Sequence, residues 1–298
     1  MIFFEPGLLL QRENNYERKS WFCGGMEVAE IVAKNTHANR YTRLIEAIFL
    51  KHYQLGATAI AFERDEITQS AEELGMVLPK NLGDVLYSFR YRTQLPSSIL
   101  EKAPEGYEWI IRPAGRSRYS FVLVRQSIIT PSEVLVETKI PDSTPGVIAK
   151  YVLSDEQALL ARVRYNRLVD IFTGITCYSL QNHLRTTVRS IGQIEIDEIY
   201  VGIDKRGAQY VLPVQAKGHS DKIGIVQIEQ DIAVCAAKFP KLICRPIAAQ
   251  FMDGGVIAMF EFEETESGIG ISAEKHYRLV RPEEVTAEEL DMYQRRSF

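Results

Sequence analysis

No stretch of the sequence comes near the roughly 20 consecutive apolar residues that a membrane span requires, so no helical span is expected. A secretory leader is not expected either. The short run Gly7 to Leu10 follows the acidic Glu5 instead of a basic segment, and no small-residue cleavage site comes after it. Cysteine is scarce: the four present (Cys23, Cys177, Cys235, Cys244) share no CxxC-type spacing. That excludes a zinc ribbon and a disulfide framework, and a reduced, cytoplasmic setting is the expectation. Internal repeats and low-complexity segments are lacking as well. What is there has the composition of a globular protein: 298 residues, 46% hydrophobic and 25% charged, enough for two ordinary domains or one large one.

The net charge of −4 argues at first against a polyanionic partner. The average hides an asymmetry, however. From Lys80 to Arg125 eight basic residues (Lys80, Arg90, Arg92, Lys102, Arg112, Arg116, Arg118, Arg125) face four acidic ones (Asp84, Glu101, Glu105, Glu108). From Glu261 onward ten acidic residues outnumber five basic ones. A phosphate backbone responds to local surface charge, so a nucleic acid is not excluded.

Residues 1–40 carry little pattern and read as an extended arm. Beyond them the spacing predicts a helix from Arg43 to Gln54, with Thr42 as N-cap and Gly56 as stop. A short strand, Ala57 to Phe62, follows. Ser70-Ala-Glu-Glu73 has the form of a capping box opening a helix that ends at Gly75. A further helix runs from Pro79–Asn81 to Arg92, and two β-rich runs, Tyr107 to Arg112 and Tyr119 to Val124, flank the basic turn Pro113 to Arg118. Helix, strand, helix, helix, hairpin is an order that resembles a winged helix, over residues 41–140. The resemblance implies that the third helix, with Arg90 and Arg92, reads the major groove of double-stranded DNA. The wing residues Arg116 and Arg118 would touch the backbone.

Prolines at Pro131, Pro141 and Pro145 mark a boundary, and residues 150–298 form the second unit. Ser154-Asp-Glu-Gln157 forms another capping box, for a helix to Phe172 stopped by Gly174. Extended runs cover Gln193 to Asp204 and Gln209 to Ala216, with Gly207 between them. A helix spans Asp221 to Phe239 with an apolar stripe of Ile225, Ile228, Ile232 and Cys235, and strands lie at Leu242 to Ala249, Val256 to Phe262 and His276 to Val280. The fold class is α/β: a mixed sheet flanked by helices, preceded by a smaller α+β domain.

Period-two alternation puts Glu195, Asp197 and Ile199 on one face of the first run and Ile194, Ile196 and Glu198 on the other. The second run ends Leu212-Pro-Val-Gln-Ala-Lys217-Gly, where Gln215 and Lys217 share a face. Two adjacent strands whose acids and lysine converge can hold a hard cation by oxygen ligands and activate a water for phosphodiester hydrolysis. The tripeptide alone is common, since Glu17-Arg-Lys19 and Glu137-Thr-Lys139 match too. Only Gln215-Ala-Lys217 follows an acid-bearing strand.

This arrangement resembles the PD-(D/E)xK nuclease superfamily, in its restriction-endonuclease-like form with Gln in the second position, as in Mrr-like enzymes. The resemblance covers about residues 154–249. It implies that Asp197, Gln215 and the Ala216 carbonyl bind Mg2+, or Mn2+ in its place, and that Lys217 activates the water. A further carboxylate is implied, from Glu156 on the preceding helix or from Glu195. His183 and Arg185 would contact DNA, Gln230 would lie near the metal as in RecB-like relatives, and the cluster Arg162, Arg164 and Arg167 would add one or two contacts. The function implied is a type II-like restriction endonuclease acting as a homodimer, with a cognate DNA methyltransferase in the same system and no membrane association. A structure-specific repair or junction nuclease, an inactive DNA-binding regulator and a metal-free interaction protein are the alternatives.

Overall fold

The computed structural model describes residues 40–78, 81–151, 155–189, 191–266 and 268–295. The expected arm therefore lies outside the described residues, apart from Arg40, as do Pro79, Lys80 and Ser154.

Helix α1 (Arg40–His52) forms where Leu44, Ile45, Ile48 and Phe49 recur on one face, and Lys51 and His52 in its last turn complement the helix dipole. After β1 (Ala59–Glu63) comes α2 (Glu66–Glu73). The capping box expected at Ser70 is not a helix start: Ser70 lies inside α2, buried against the core. The chain turns into the helix at Asp65, where the Glu66 side chain accepts the Glu63 N–H at 2.8 Å. Helix α3 (Leu82–Tyr91) begins where Asn81 accepts the Gly83 N–H at 3.1 Å, an N-cap bond. A single turn, α4 (Ser97–Leu100), precedes the hairpin β2 (Glu108–Pro113) and β3 (Arg118–Val124). These strands make an antiparallel three-stranded sheet in the order β1-β3-β2. Its core centres on Phe49, whose ring meets Trp109 and Phe121 edge-on at 5.2 and 5.1 Å.

Two short strands lead into the second unit: β4 (Ile128–Ile129) and β5 (Thr138–Pro141). Next come α5 (Gly146–Tyr151), α6 (Asp155–Tyr165) and α7 (Leu168–Thr173). One helix was expected from Ser154 to Phe172. It is broken at Arg167, which sits in the left-handed region at φ 50°. Long antiparallel strands follow: β6 (Thr176–Val188), β7 (Gly192–Ile203) and β8 (Gln209–Lys217). Then β9 (Ile223–Gly224) pairs with β4, and α8 (Ile225–Lys238) crosses over the sheet. The helix starts later than the expected Asp221 because residues 223–224 are drawn into that pairing.

The strand expected over Leu242 to Ala249 is two, β10 (Ile243–Cys244) and β11 (Ile247–Phe251), interrupted at Pro246, which has no N–H to donate. Finally β12 (Val256–Thr265), β13 (Gly268–Val280) and α9 (Ala287–Arg295) close the fold. The large sheet has eight strands, ordered β5-β13-β12-β11-β8-β7-β6, with β10 also paired to β8. It is mixed, since β8 runs parallel to β11 and antiparallel to β7.

Helices cover both faces. Leu159, Leu160 and Val163 of α6 bury against Leu212, Val214 and Ala216 of β8, each contributing about 1.5–3 kcal/mol. On the other face Val234 and Cys235 of α8 meet Ile194, Ile196, Ile199 and Val211. The start of α8 packs Ile225, Val226 and Ile228 against Ile110 and Val124 of the small sheet as well as Ala248 and Phe260 of the large one. Helix α8 is thus buried between the two units, and among the described residues no helix is long and apolar enough to cross a membrane.

Candidate functional site

Strands β7 and β8 are paired from Ile203↔Gln209 as far as Glu198↔Val214. Beyond that level the backbones no longer exchange hydrogen bonds, and the Asp197 carboxylate accepts the Ala216 N–H at 2.9 Å instead. In an extended residue the N–H and C=O point to the same side. The Ala216 carbonyl therefore faces the gap that holds Asp197. On its other edge β8 stays paired with β11 as far as Gln250↔Lys217, so Gln215, Ala216 and Lys217 sit on a strand anchored from one side and open on the other.

The alternation of β7 breaks at this point. Ile194 and Ile196 pack under α8, but so does Ile199. Glu198 faces the opposite layer, bonded to Arg164 of α6 at 2.8 Å and to the Ser179 hydroxyl at 2.6 Å. The expected grouping of Ile199 with Asp197 and of Glu198 with Ile196 is therefore corrected. On β6 the pairing skips His183, between Asn182↔Glu198 and Leu184↔Ile196, where His183 adopts φ 46°, and the register itself shifts a little further on, between Ser179 and Gln181. A non-glycine residue in the left-handed region is costly, and such residues concentrate at functional sites.

Gln215 is 1% exposed, and its amide Nε2 donates to both oxygens of Asp231 on α8, at 3.0 and 3.1 Å. Its Oε1 consequently points away from Asp231, and no donor meets it among the described residues. Three carboxyls here are held above the ordinary carboxylate range. Burial raises Asp197, against the lowering influence of the Ala216 N–H, Lys217 and His183. Burial likewise raises Glu156 of α6, on which Lys217, Asp197, Asp221 and His183 all act electrostatically. Complete burial raises Asp231 further, although Gln215 and Lys217 pull it down. The site is short of positive charge: Lys217 forms no ion pair among the described residues. Among the described residues no three His, Cys, Asp or Glu side chains form a ready cation cage. The donors on hand are of another kind: a carboxylate, an amide oxygen and a backbone carbonyl, with Glu156 beside them. This all-oxygen set fits Mg2+ or Mn2+, which bind few protein oxygens and keep several waters.

The other expected site residues divide. Glu195 lies opposite Arg185 and is bound by it at 3.0 and 3.3 Å, with His183 Nδ1 at 3.4 Å, so its charge is already matched. Arg185 is committed in return. His183 Nε2 meets the Gln157 amide at 2.9 Å. Arg164 and Arg167 are engaged by Glu198 and Asp170, and Arg162 lies over the Phe251 ring, so these cations serve the fold. In the small unit Arg116 and Arg118 are exposed on the wing, and Arg92 stacks on Tyr87 at 4.9 Å. Arg90 lies half-buried over Tyr91, with its Nε shielded and unpartnered.

Gln230 does not approach the open end of β8 as expected. It accepts the Tyr91 hydroxyl at 2.7 Å, across the boundary between the units. Its neighbour Glu229 takes a two-pronged bond from Arg112 of β2. Asp231 is the residue that reaches the site. It sits three residues after Ile228 and three before Val234, on the buried stripe of α8. A lone acid within an apolar stripe was the signal that marked it.

Comparisons with protein-family models, with curated proteins and with solved structures find no match to this chain.

Proposed function

We propose that the protein is a Mg2+-dependent DNA endonuclease of the PD-(D/E)xK type, of the restriction-endonuclease-like form. The observation that carries this reading is the open end of the β7–β8 pair. There Asp197 accepts the Ala216 N–H, Gln215 is held through its amide by Asp231, Lys217 ends the strand, and Glu156 of α6 feels both Lys217 and Asp197. The order α6, β6, β7, β8, α8, β11, with β11 parallel to β8, supports it as well.

In this reading Asp197, Gln215 and Ala216 hold the cation and Glu156 supplies the second negative charge. The bound cation lowers the pKa of a water and neutralises charge on the scissile phosphate. Lys217, which forms no ion pair among the described residues, orients that water and meets the charge developing on the phosphate oxygens. Asp231 holds the Gln215 amide so that its oxygen faces the gap. The small unit, with its winged-helix order and the strand arrangement β1-β3-β2, serves as the DNA reader, with Arg92, Arg116 and Arg118 among its exposed cations. Cutting both strands of a duplex calls for two such sites, hence a two-fold dimer. A cognate methyltransferase would protect the host's own sites.

A DNA-binding regulator with an inactive core is the second reading, and the neutral Gln215 favours it. Incubating plasmid with the protein in Mg2+ or EDTA separates the two. Discrete fragments that need Mg2+ and vanish in Lys217→Ala support the enzyme. Binding without cleavage in any metal leaves the regulator, and fragments unaffected by Lys217→Ala sink the assigned site.

A further inference from the structure

The wing and the tip of the β6–β7 hairpin face each other across a cleft of about 690 Å³. Arg116 and Arg118 line it from the small unit, and Arg189 lines it from the large one. Pro113 and Ile191 are its apolar lining, and among the described residues no acidic side chain lines it. All three arginines are exposed, and none forms an ion pair among the described residues. Both banks are fixed. The wing turn is closed by the Ala114 N–H to Arg118 O bond at 2.8 Å and tied to β1's end by the Arg64 N–H to Ser117 O bond at 2.8 Å. The hairpin tip is closed by the Ile191 N–H to Val188 O bond at 3.0 Å.

Three exposed arginines from segments over 70 positions apart line one cleft with no acid among its lining residues, which makes its potential positive. Elsewhere the same molecule pairs its arginines across elements, as Arg112 with Glu229 and Arg185 with Glu195. We infer that this cleft is a binding site for the sugar-phosphate backbone of duplex DNA, shared by the two units. Guanidinium forks match phosphate oxygens, and the apolar lining accepts the deoxyribose edge. The inference rests on the DNA-cleaving reading but adds what that reading does not contain: one stretch of backbone held by both units together, with Arg189 as the large unit's contact. Gly192 at the tip is five positions before Asp197, at most roughly 17 Å along the strand. The grip therefore falls about half a helical turn from the cation site, on the same duplex.

The test is duplex binding by the full chain in EDTA, where cleavage cannot intervene. Fluorescence anisotropy is read over a salt series with a 30-base-pair and a 12-base-pair duplex. R189Q is expected to weaken binding roughly eightfold near 0.1 M salt and to lower the log–log salt slope by about 1. R116Q/R118Q should lower it by about 2, and both effects should persist on the 12-base-pair duplex, which is long enough for one cleft only. Thermal melting of each variant, unchanged from the parent, keeps the comparison to binding. If wild type binds duplex and these substitutions change nothing, the cleft is overturned and the nuclease reading stands. If the R189Q effect disappears on the short duplex, the shared grip is overturned. Tighter, cleft-dependent binding to RNA than to DNA overturns the assignment to duplex DNA. A wild type that binds no duplex overturns the cleft and the reading beneath it.

Discussion

The side-chain amide of Gln215 is held by both carboxylate oxygens of Asp231, a pair buried between β8 and α8. In the proposed reading this pair accounts for a neutral residue at the second ligand position of β8. Burial holds the Asp231 carboxyl well above its ordinary value, and it takes up the NH2 end of the Gln215 amide. Replacing Asp231 by Asn lets the Gln215 amide turn over, with its NH2 toward the gap. The expected result is loss of Mg2+ affinity in calorimetry and a fall in cleavage, with the melting temperature nearly kept. Asp231→Ala leaves the amide unsatisfied and costs about 1–3 kcal/mol in chemical denaturation. Unchanged cation affinity in Asp231→Asn would remove Asp231 from the site.

Installing the acid at the strand position should not help. Gln215→Glu sets two carboxyls against each other in a buried place, and a stability loss of about 1–3 kcal/mol is expected. Asp231→Asn in the same chain restores the donor–acceptor match, so the double variant should regain stability and bind Mg2+. A double variant no better than the single would show that the two residues are not coupled.

Glu156 and Glu195 are separated by one comparison. Glu195 is neutralised by Arg185, whereas Glu156 approaches Lys217 and Asp197. Glu156→Gln should weaken Mg2+ binding tenfold or more, about 1.4 kcal/mol or above. Glu195→Gln should leave it within about twofold. Equal effects would contradict the assignment.

Acid and the metal-free protein make a further check. Burial raises the Asp197 carboxyl in the folded chain above its ordinary 3.8, so the folded state binds the proton more tightly than the unfolded state. Its contribution to stability is therefore complete below pH 3.8 and is lost as pH rises through the raised value. Without metal, Asp197→Asn should melt higher than wild type near pH 7, the gap closing toward pH 4. Mg2+ should raise the wild-type melting temperature and not that of the variant. A variant that melts lower at neutral pH would mean that the carboxylate serves the fold instead.

Gly202 tests the sheet beneath the site. A Cβ there would stand 2.6 Å from an Ile175 methyl and 3.1 Å from the Cys177 sulfur, where β6 passes over β7. Gly202→Ala should cost about 1–3 kcal/mol by thermal or urea unfolding, and a neutral result would mean that β6 yields more readily than its burial implies.

Helices α1 and α3 were legible because each buries one face at the helical period, and β7 because its first half alternates; β8 is buried on both faces and was read as a continuous apolar run between turn residues. Strand β6 was not. It is the edge strand, exposed along both faces from Tyr178 to His183, so its sequence Ser-Leu-Gln-Asn-His carries no alternation to detect. The first half of β13 escaped for the same reason, since its burial alternates only weakly before His276. Asp197, Gln215 and Lys217 were grouped from strand order and spacing, and the fold sets them where the β7–β8 pairing ends. Gln230 was chosen over Asp231 because one turn of α8 buries polar groups on two sides, which no single-face periodicity describes. The flip of Glu198 could not be read either, because it accompanies the break in pairing at His183, one strand away.

Glu229, Gln230 and Asp231 follow one another on α8, and each looks in a different direction: to Arg112, to Tyr91 and to Gln215. The two halves of the chain are therefore not exchangeable modules. A small unit grafted from elsewhere would arrive without the tyrosine and arginine that seat this helix, and the Gln215–Asp231 pair would shift with it. Under the proposed function, specificity is therefore altered by changing side chains on the existing small unit, not by replacing it.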